Sequence, residues 1–450
     1  MATALSTDLY EITMAAGYAA AGLTGQASFE LSGRTLPAER SYLIAAGLEP
    51  VLEYLEAFEF SGSDIAYLRR VPGLRDVPEI FFDEVLPSLR FTGDVWAMPE
   101  GTAVFPHEPM LRVTAPLIEA QLVETALLAM ITFQTSVASR AARMVDAAAG
   151  RPVYEFGARR AHGTEAGVLA ARAAFIGGCR GTSMVEAGRC YELPLAGTMA
   201  HSWVMCFETE TEAYQQYMDL YGEQAVLLID TYDSVTAADR IVTAGLRPWA
   251  VRIDSGDLVN DAKKVRACLD GGGLHDTSIL VSGDLDEFRI SALVAEDVPI
   301  DGFGVGNALS TASDAPALGG VYKMVEVERQ GTTRQTLKLS RGKITYPGRK
   351  QVYRFTDERG VYTYDRLELV EDGSPKEGRP LLTRVMAGGR RTRTAPGLVS
   401  IQRCARNEVD RLPAALRGLQ ASSENYTVRR SENLDQLTAD LGRKLPRACR

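Results

Sequence analysis

Cysteine, histidine and long apolar runs are all scarce in this chain, and each scarcity removes a class of protein. Its six cysteines (Cys179, Cys190, Cys206, Cys268, Cys404 and Cys449) form no Cys-x-x-Cys pair. Neither a disulfide framework nor a zinc ligand set is therefore predicted, and a reduced, cytoplasmic setting is. No apolar run approaches the roughly 20 residues that cross a bilayer. The start carries Asp8 and Glu11 rather than a basic-then-apolar leader. Positive charge is in deficit: 49 Lys+Arg against 58 Asp+Glu leave a net charge of −9. That balance excludes a general affinity for nucleic acid or anionic membrane. No repeat of solenoid period appears, and no early strand leads into a glycine-rich dinucleotide turn. Only four histidines exist: His107, His162, His201 and His275.

What remains is an ordinary globular balance, 46% hydrophobic and 24% charged over 450 residues, long enough for about two or three domains. From about 150 to 320 the chain repeats one pattern: a short apolar strand ending in polar chemistry, then an amphipathic helix. Ala225–Ile229 runs into Asp230-Thr231-Tyr232-Asp233-Ser234. Trp249–Val251 runs into Arg252-Ile253-Asp254-Ser255-Gly256-Asp257. Ser278–Val281 runs into Ser282-Gly283-Asp284, and Ile300–Phe303 into Gly304-Val305-Gly306-Asn307. Strand–helix alternation implies a parallel sheet. Chemistry at strand C-terminal ends is the layout of an α/β barrel site, a doubly wound sheet being the competing layout.

Three parts are expected: a mixed α+β segment over 1–120, an α/β barrel over 121–320, and a β-rich segment over 321–450 that packs with the first. Thr7 or Asp8 would cap an opening helix, and Leu117–Ala149 reads as helix. Strands are predicted at Ala27–Leu31, Phe91–Ala97, Val321–Val327, Gln335–Leu339, Gln351–Phe355 and Val361–Tyr364. Arg390 to Arg450 holds thirteen Lys/Arg against six Asp/Glu, which reads as a basic, partly helical tail with a solvated face.

Six segments carry chemistry. Gly197-Thr198-Met199-Ala200-His201-Ser202 sets one histidine in a small-residue loop; imidazole titrates near neutrality and can accept a phosphoryl group. Its competing role is a hydrogen-bonded structural histidine. Pro152-Val153-Tyr154-Glu155-Phe156-Gly157-Ala158-Arg159-Arg160-Ala161 ends a strand with an aromatic face and guanidinium forks for a carboxylate or phosphate, a buried Phe and surface arginines being the competing role. Gly177-Gly178-Cys179-Arg180-Gly181-Thr182-Ser183 is a flexible loop ending in hydroxyls. Arg252, Asp254 and Asp257 together suit an anion and a hydrated magnesium ion. The loops Ser282-Gly283-Asp284 and Gly304-Val305-Gly306-Asn307 suit a phosphate cradle of backbone N–H groups.

Thr7-Asp8-Leu9-Tyr10, Phe156-Gly157-Ala158-Arg159-Arg160-Ala161, Gly197-Thr198-Met199-Ala200-His201-Ser202, Val251-Arg252-Ile253-Asp254-Ser255-Gly256-Asp257 and Phe303-Gly304-Val305-Gly306 resemble, in order, the motifs of nicotinate phosphoribosyltransferases. The run Lys338-Leu339-Ser340 through Lys343, then Tyr346-Pro347-Gly348-Arg349-Lys350-Gln351-Val352-Tyr353-Arg354, continues the likeness. The resemblance implies an irregular α/β barrel of the type II phosphoribosyltransferases with a second α+β domain built from both chain ends. It also implies a homodimer with shared sites. The reaction would convert nicotinate and phosphoribosyl pyrophosphate to nicotinate mononucleotide and pyrophosphate, as a ligase-type enzyme coupled to ATP hydrolysis in NAD biosynthesis.

By the same resemblance His201 is the histidine that becomes phosphorylated, with Asp230 as its partner. Asp254 lies near ribose and metal. Thr198 lies near nicotinate, whose ring stacks between Phe156 and a neighbouring subunit's Tyr10. Arg159 and Arg252 serve the carboxylate and adjacent phosphates. Ser282, Gly283, Gly304, Gly306 and Asn307 cradle the 5′-phosphate; relatives usually have Thr at the position of Asn307. Mg2+ would arrive with ATP and phosphoribosyl pyrophosphate, and no permanently bound cofactor is expected.

Ser183 bears on the substrate. Nicotinamide-using relatives have an aspartate there; serine removes a charge that would repel a carboxylate. The alternatives are therefore a nicotinamide phosphoribosyltransferase and a non-catalytic barrel that binds phosphoribosyl compounds. An aldolase-type barrel needs a lysine at a strand end, and none of these strands ends in one.

Overall fold

The computed structural model describes residues 2–339, 345–420 and 425–444 and resolves two compact units: Met1–Ser136 with Ala317–Arg450, and Val137–Pro316. The Ser340–Lys343 part of the resemblance and Cys449 lie outside the described residues.

The second unit holds six parallel strands: β1 Val153–Glu155, β2 Gly181–Thr182, β3 Val226–Leu228, β4 Ala250–Ile253, β5 Ser278–Val281 and β6 Gly302–Val305. Helices α1 Thr164–Ile176, α2 Val185–Tyr191, α3 His201–Met205, α4 Glu210–Tyr221, α5 Ser234–Thr243, α6 Leu258–Gly271, α7 Glu287–Ala295 and α8 Asn307–Ser310 alternate with them. The strand order is β2-β1-β6-β5-β4-β3. Read as a circle, this is chain order with first and last strands paired, Phe303 opposite Val153, and an opening between β2 and β3. A doubly wound sheet reverses its order at a switch point instead. The unit is therefore an irregular, opened α/β barrel.

β3 through β6 are almost wholly buried, which explains their continuous apolar runs. The last strand starts at Gly302 rather than Ile300, which carries its glycines beyond the apolar run. Aspartates recur after strands for a local reason. Asp233, Asp257 and Asp286 cap α5, α6 and α7 by accepting the N–H of Thr236, Asn260 and Arg289 at 2.7, 3.2 and 2.8 Å. Asp257 is thus a helix cap.

The other unit joins the chain's two ends. Strand Gln26–Gly33 lies between Pro109–Pro116 and Gly320–Arg329, antiparallel to both, in a seven-stranded sheet. Its inward face is apolar: Phe29 stacks on Tyr322 with ring centroids 4.8 Å apart. A four-stranded sheet holds Arg379–Pro380, Lys350–Thr356, Tyr362–Leu369 and Thr427–Arg430. Two local expectations shift. The strand expected at Gln335–Leu339 is Thr332–Gln335, because Gln330 and Gly331 both take positive φ and turn the chain in two residues. Asp8 occupies the N-cap of helix Leu9–Ala20 without capping it; its carboxylate accepts the Thr125 hydroxyl at 3.1 Å instead.

Candidate active site

Every strand of the barrel unit delivers a residue of interest at its C-terminal end. Phe156 follows β1. Its amide donates to the Val305 carbonyl at 2.7 Å, and its ring lies close against Gly304. A Cβ at Gly304 would come within 2.6 Å of that ring, so only glycine gives the aromatic this floor. Gly306, at the end of the same turn, precedes the short α8.

Arg252, in β4, is the hub. Its Nη1 donates to the Thr198 hydroxyl at 2.6 Å, and its Nη2 stands 3.8 Å from Asp254 Oδ1. Asp254 in turn accepts the Ser282 hydroxyl. One polar chain, Thr198–Arg252–Asp254–Ser282, thus links the loop before α3 to the ends of β4 and β5. The Arg252 Nε is buried with no partner among the described residues. Burial lowers the Arg252 pKa; the charges of Asp254 and Asp230 oppose that shift, and Arg159 reinforces it. Two guanidinium groups close enough to repel make a site that favours an anion.

His201 opens α3 and is half-buried. Its Nδ1 meets the Thr231 hydroxyl at 3.2 Å. The expected partner, Asp230, is engaged elsewhere: it accepts the Asp254 amide at 3.1 Å and the Ser255 hydroxyl at 2.6 Å. The neighbouring threonine reaches the ring because Asp230 turns toward β4. The second Asp230 oxygen is buried and unpaired among the described residues.

The two glycine loops also meet. Gly283 has φ +94°, and a side chain there would collide with the Asp254 carbonyl. Asn307 Nδ2 donates to Asp284 at 3.1 Å, which ties the end of β5 to the start of α8. The reading of the motifs did not single out this Asp284 contact. Arg159 and Ser183 are exposed at the ends of β1 and β2; the Ser183 amide donates to the Glu155 carbonyl at 2.9 Å.

Glu155 was missed. Buried at 1% exposure, it accepts the Thr182 hydroxyl at 2.6 Å and the Gly157 amide, so it braces the turns that present Ser183 and Phe156. Burial raises its pKa; the Thr182 and Gly157 hydrogen bonds pull the other way. Its strand parity with Val153 was the available signal, since residues two apart share a face. Tyr10 belongs to the other compact unit, near the start of helix Leu9–Ala20, at 46% exposure.

Comparison with known proteins agrees over nearly the whole length. Residues 5–132 match the model of the nicotinate phosphoribosyltransferase N-terminal domain, and residues 152–348 that of the nicotinate phosphoribosyltransferase family. A nicotinate phosphoribosyltransferase of Mycobacterium tuberculosis is 47% identical over 447 residues, covering 98% of this chain and 93% of the relative. One from Bacillus subtilis is 43% identical, covering 79% and 73%. The crystal structure of human nicotinic acid phosphoribosyltransferase is similar with a TM-score of 0.83 and 28% identity, over 97% of this chain and 99% of that one.

Proposed function

Since the chain belongs to the nicotinate phosphoribosyltransferase family, we propose that its barrel unit joins nicotinate to phosphoribosyl pyrophosphate and couples this to ATP hydrolysis through His201. The ring nitrogen of nicotinate attacks the anomeric carbon, a C–N bond forms, and pyrophosphate leaves. The product is nicotinate mononucleotide, an intermediate of NAD biosynthesis. The observation that carries the reading is the polar chain from Thr198 through Arg252 and Asp254 to Ser282, set beside His201.

Nicotinate lies on Phe156 with its carboxylate toward Arg159 and Arg252. Fixed cations there stabilise the substrate without reorganisation. Ser183 leaves the ring pocket without a repelling carboxylate. The phosphate of the ribose sits on the N–H groups of the Gly283 and Gly304–Gly306 turns, with Ser282 and Asn307 as side-chain donors. Once a phosphate arrives, Asn307 exchanges its bond to Asp284 for one to the ligand.

Thr231, accepting from Nδ1–H, leaves the His201 lone pair on Nε2. That nitrogen takes the γ-phosphoryl group of ATP, ADP departs, and water later releases phosphate. Asp230 holds the backbone of Asp254 in place. A magnesium ion accompanying ATP and phosphoribosyl pyrophosphate fits the unpaired Asp230 oxygen and Asp254; when bound, it would neutralise charge on the diphosphate. No permanently bound cofactor is needed for these steps.

Tyr10 completes the site of a second copy. Leu9, Tyr10 and Met14 are 49%, 46% and 36% exposed on one helix, an apolar edge that supports a homodimer with shared sites. No described helix is long and apolar enough to cross a membrane, and the proposed place of action is the cytoplasm, on small metabolites rather than nucleic acid.

The decisive assay mixes the protein with phosphoribosyl pyrophosphate and either nicotinate or nicotinamide, with and without ATP. Faster mononucleotide formation from nicotinate, stimulated by ATP, is expected. Equal use of nicotinamide would remove the Ser183 argument, and indifference to ATP would remove the phosphohistidine. For the dimer, Tyr10→Ala and His201→Ala chains are mixed. Random reassortment should restore about a quarter of wild-type sites; no recovery after verified exchange places Tyr10 outside its partner's site.

A further inference from the structure

The chemistry above uses none of the thirteen Lys/Arg residues between Arg390 and Arg450. Two of them, Arg403 and Arg411, line an open cavity of about 290 Å3 in the unit built from the chain's ends. Arg379 lines it too, from the strand Arg379–Pro380. Helix Leu398–Asp410 contributes Ser400, Arg403 and Asn407 to the lining. Their spacings of three and four residues put them on one helix face.

The three guanidinium groups are unequally occupied. Arg379 donates to Glu408 and, at 3.3 Å, to the Tyr362 hydroxyl. Arg411 donates from Nε to the Gly360 carbonyl at 2.8 Å and lies over the Tyr362 ring at 4.8 Å; its terminal nitrogens meet no described acceptor. Arg403 has no partner among the described residues. The one carboxylate in the lining, Glu408, is buried and already answered by Arg354 at 2.8 Å as well as by Arg379. Three cations therefore line a cavity whose only acid, Glu408, is shared between Arg354 outside the lining and Arg379 within it, which leaves Arg403 and the Arg411 terminal nitrogens open to a ligand.

We propose that this cavity binds the phosphate or diphosphate group of a small molecule, at a site sharing no residue with the barrel edge. Guanidinium forks match phosphate oxygens in pairs, and the Ser400 hydroxyl and Asn407 amide add neutral donors for the remaining ones. The volume is at the lower end for small-molecule pockets, about 300 Å3, which suits the charged group more than a whole nucleotide.

Cys404 lines the same cavity, half-buried, whereas Cys190 is exposed in the other unit. Labelling by N-ethylmaleimide, followed cysteine by cysteine in a mass spectrometer, therefore reports on this cavity apart from the active site. Millimolar pyrophosphate should slow labelling of Cys404 at least about tenfold and leave Cys190 unchanged. Inorganic phosphate and ATP, run in parallel, identify whether free anion or nucleotide is the better source. Arg403→Glu and Asn407→Asp should each weaken the protection at least about tenfold by charge repulsion, with nicotinate turnover kept. Calorimetry should find one class of pyrophosphate site fewer in Arg403→Glu. Absence of protection, equal protection by potassium chloride of matched ionic strength, or protection and site count surviving both variants would overturn the proposal.

Discussion

Arg354 and Arg252 are both arginines among carboxylates, and the fold treats them in opposite ways. Arg354 is fully buried. It binds Asp365 through Nε and Nη2 at 3.0 and 2.6 Å, Glu408 through Nη1 at 2.8 Å, and the Ala103 carbonyl at 2.8 Å. The rings of Tyr362, Phe105 and Tyr426 cover it at 4.8, 5.3 and 6.0 Å. Asp365 and Glu408 also receive the Tyr426 and Tyr362 hydroxyls at 2.9 and 2.7 Å. Arg252 keeps a buried unpaired Nε, and its nearest carboxylate oxygen is 3.8 Å away. A closed network holds the chain together, because any partner removed leaves a charge without water. An open one costs stability in the free protein and is completed by a ligand.

The sharpest break of that comparison is His201→Ala. Nicotinate-stimulated ATP hydrolysis should fall to background. Folding stability should move by only about 0.5 kcal/mol, since the ring makes one contact to a hydroxyl. A large loss of stability by urea titration would mean that His201 is structural after all.

Arg354→Met reverses the pattern. It strands Asp365 and Glu408 in the interior and should cost about 3–5 kcal/mol by chemical denaturation. A cost below about 1 kcal/mol would show that water reaches this cluster.

Gly304→Ala tests the aromatic floor. The added methyl presses on Phe156, and overpacking of this kind costs about 1–3 kcal/mol. Because Phe156 is half-buried and can yield, most of the effect should appear as a raised KM for nicotinate rather than as lost stability. An unchanged KM would detach Phe156 from the ring pocket.

The smallest effect is a slope. Burial, then the charge of Asp365, holds the Glu108 carboxyl well above its ordinary range. An acid whose folded pKa is raised binds its proton more tightly when folded. Its contribution is therefore complete at low pH and is lost as pH rises through the raised value. Glu108→Gln should match the parent at acid pH and lose less stability as pH climbs above the usual carboxylate range. Parallel stability curves would mean that Glu108 is ionised in the fold.

Much of the barrel was legible because parallel strands buried on both faces read as unbroken apolar runs, and because residues after them must do something other than pack. The hub at Arg252 and the glycine turns were visible for that reason. Partnerships were not. Thr231 instead of Asp230 beside His201, and Asp257 as a cap, depend on which way a side chain turns at a strand end. Glu155 looked like one more polar residue at a strand end; its bracing role appears only when Thr182, in β2, comes beside the Gly157 turn.

By itself, the sequence determined the strand–helix alternation, the positions where backbone needs glycine, and the ordered motifs that mark the family, since all of these are local or nearly so. Tertiary structure alone decided three things. It paired the first barrel strand with the last. It gave Arg354 hydrogen-bonded partners in Asp365 and Glu408 and left the Arg252 Nε without one. It also brought Arg379, Arg403 and Arg411 to one cavity. Each depends on which distant segments meet, and hydrogen-bond partners are assigned by that meeting rather than by spacing along the chain.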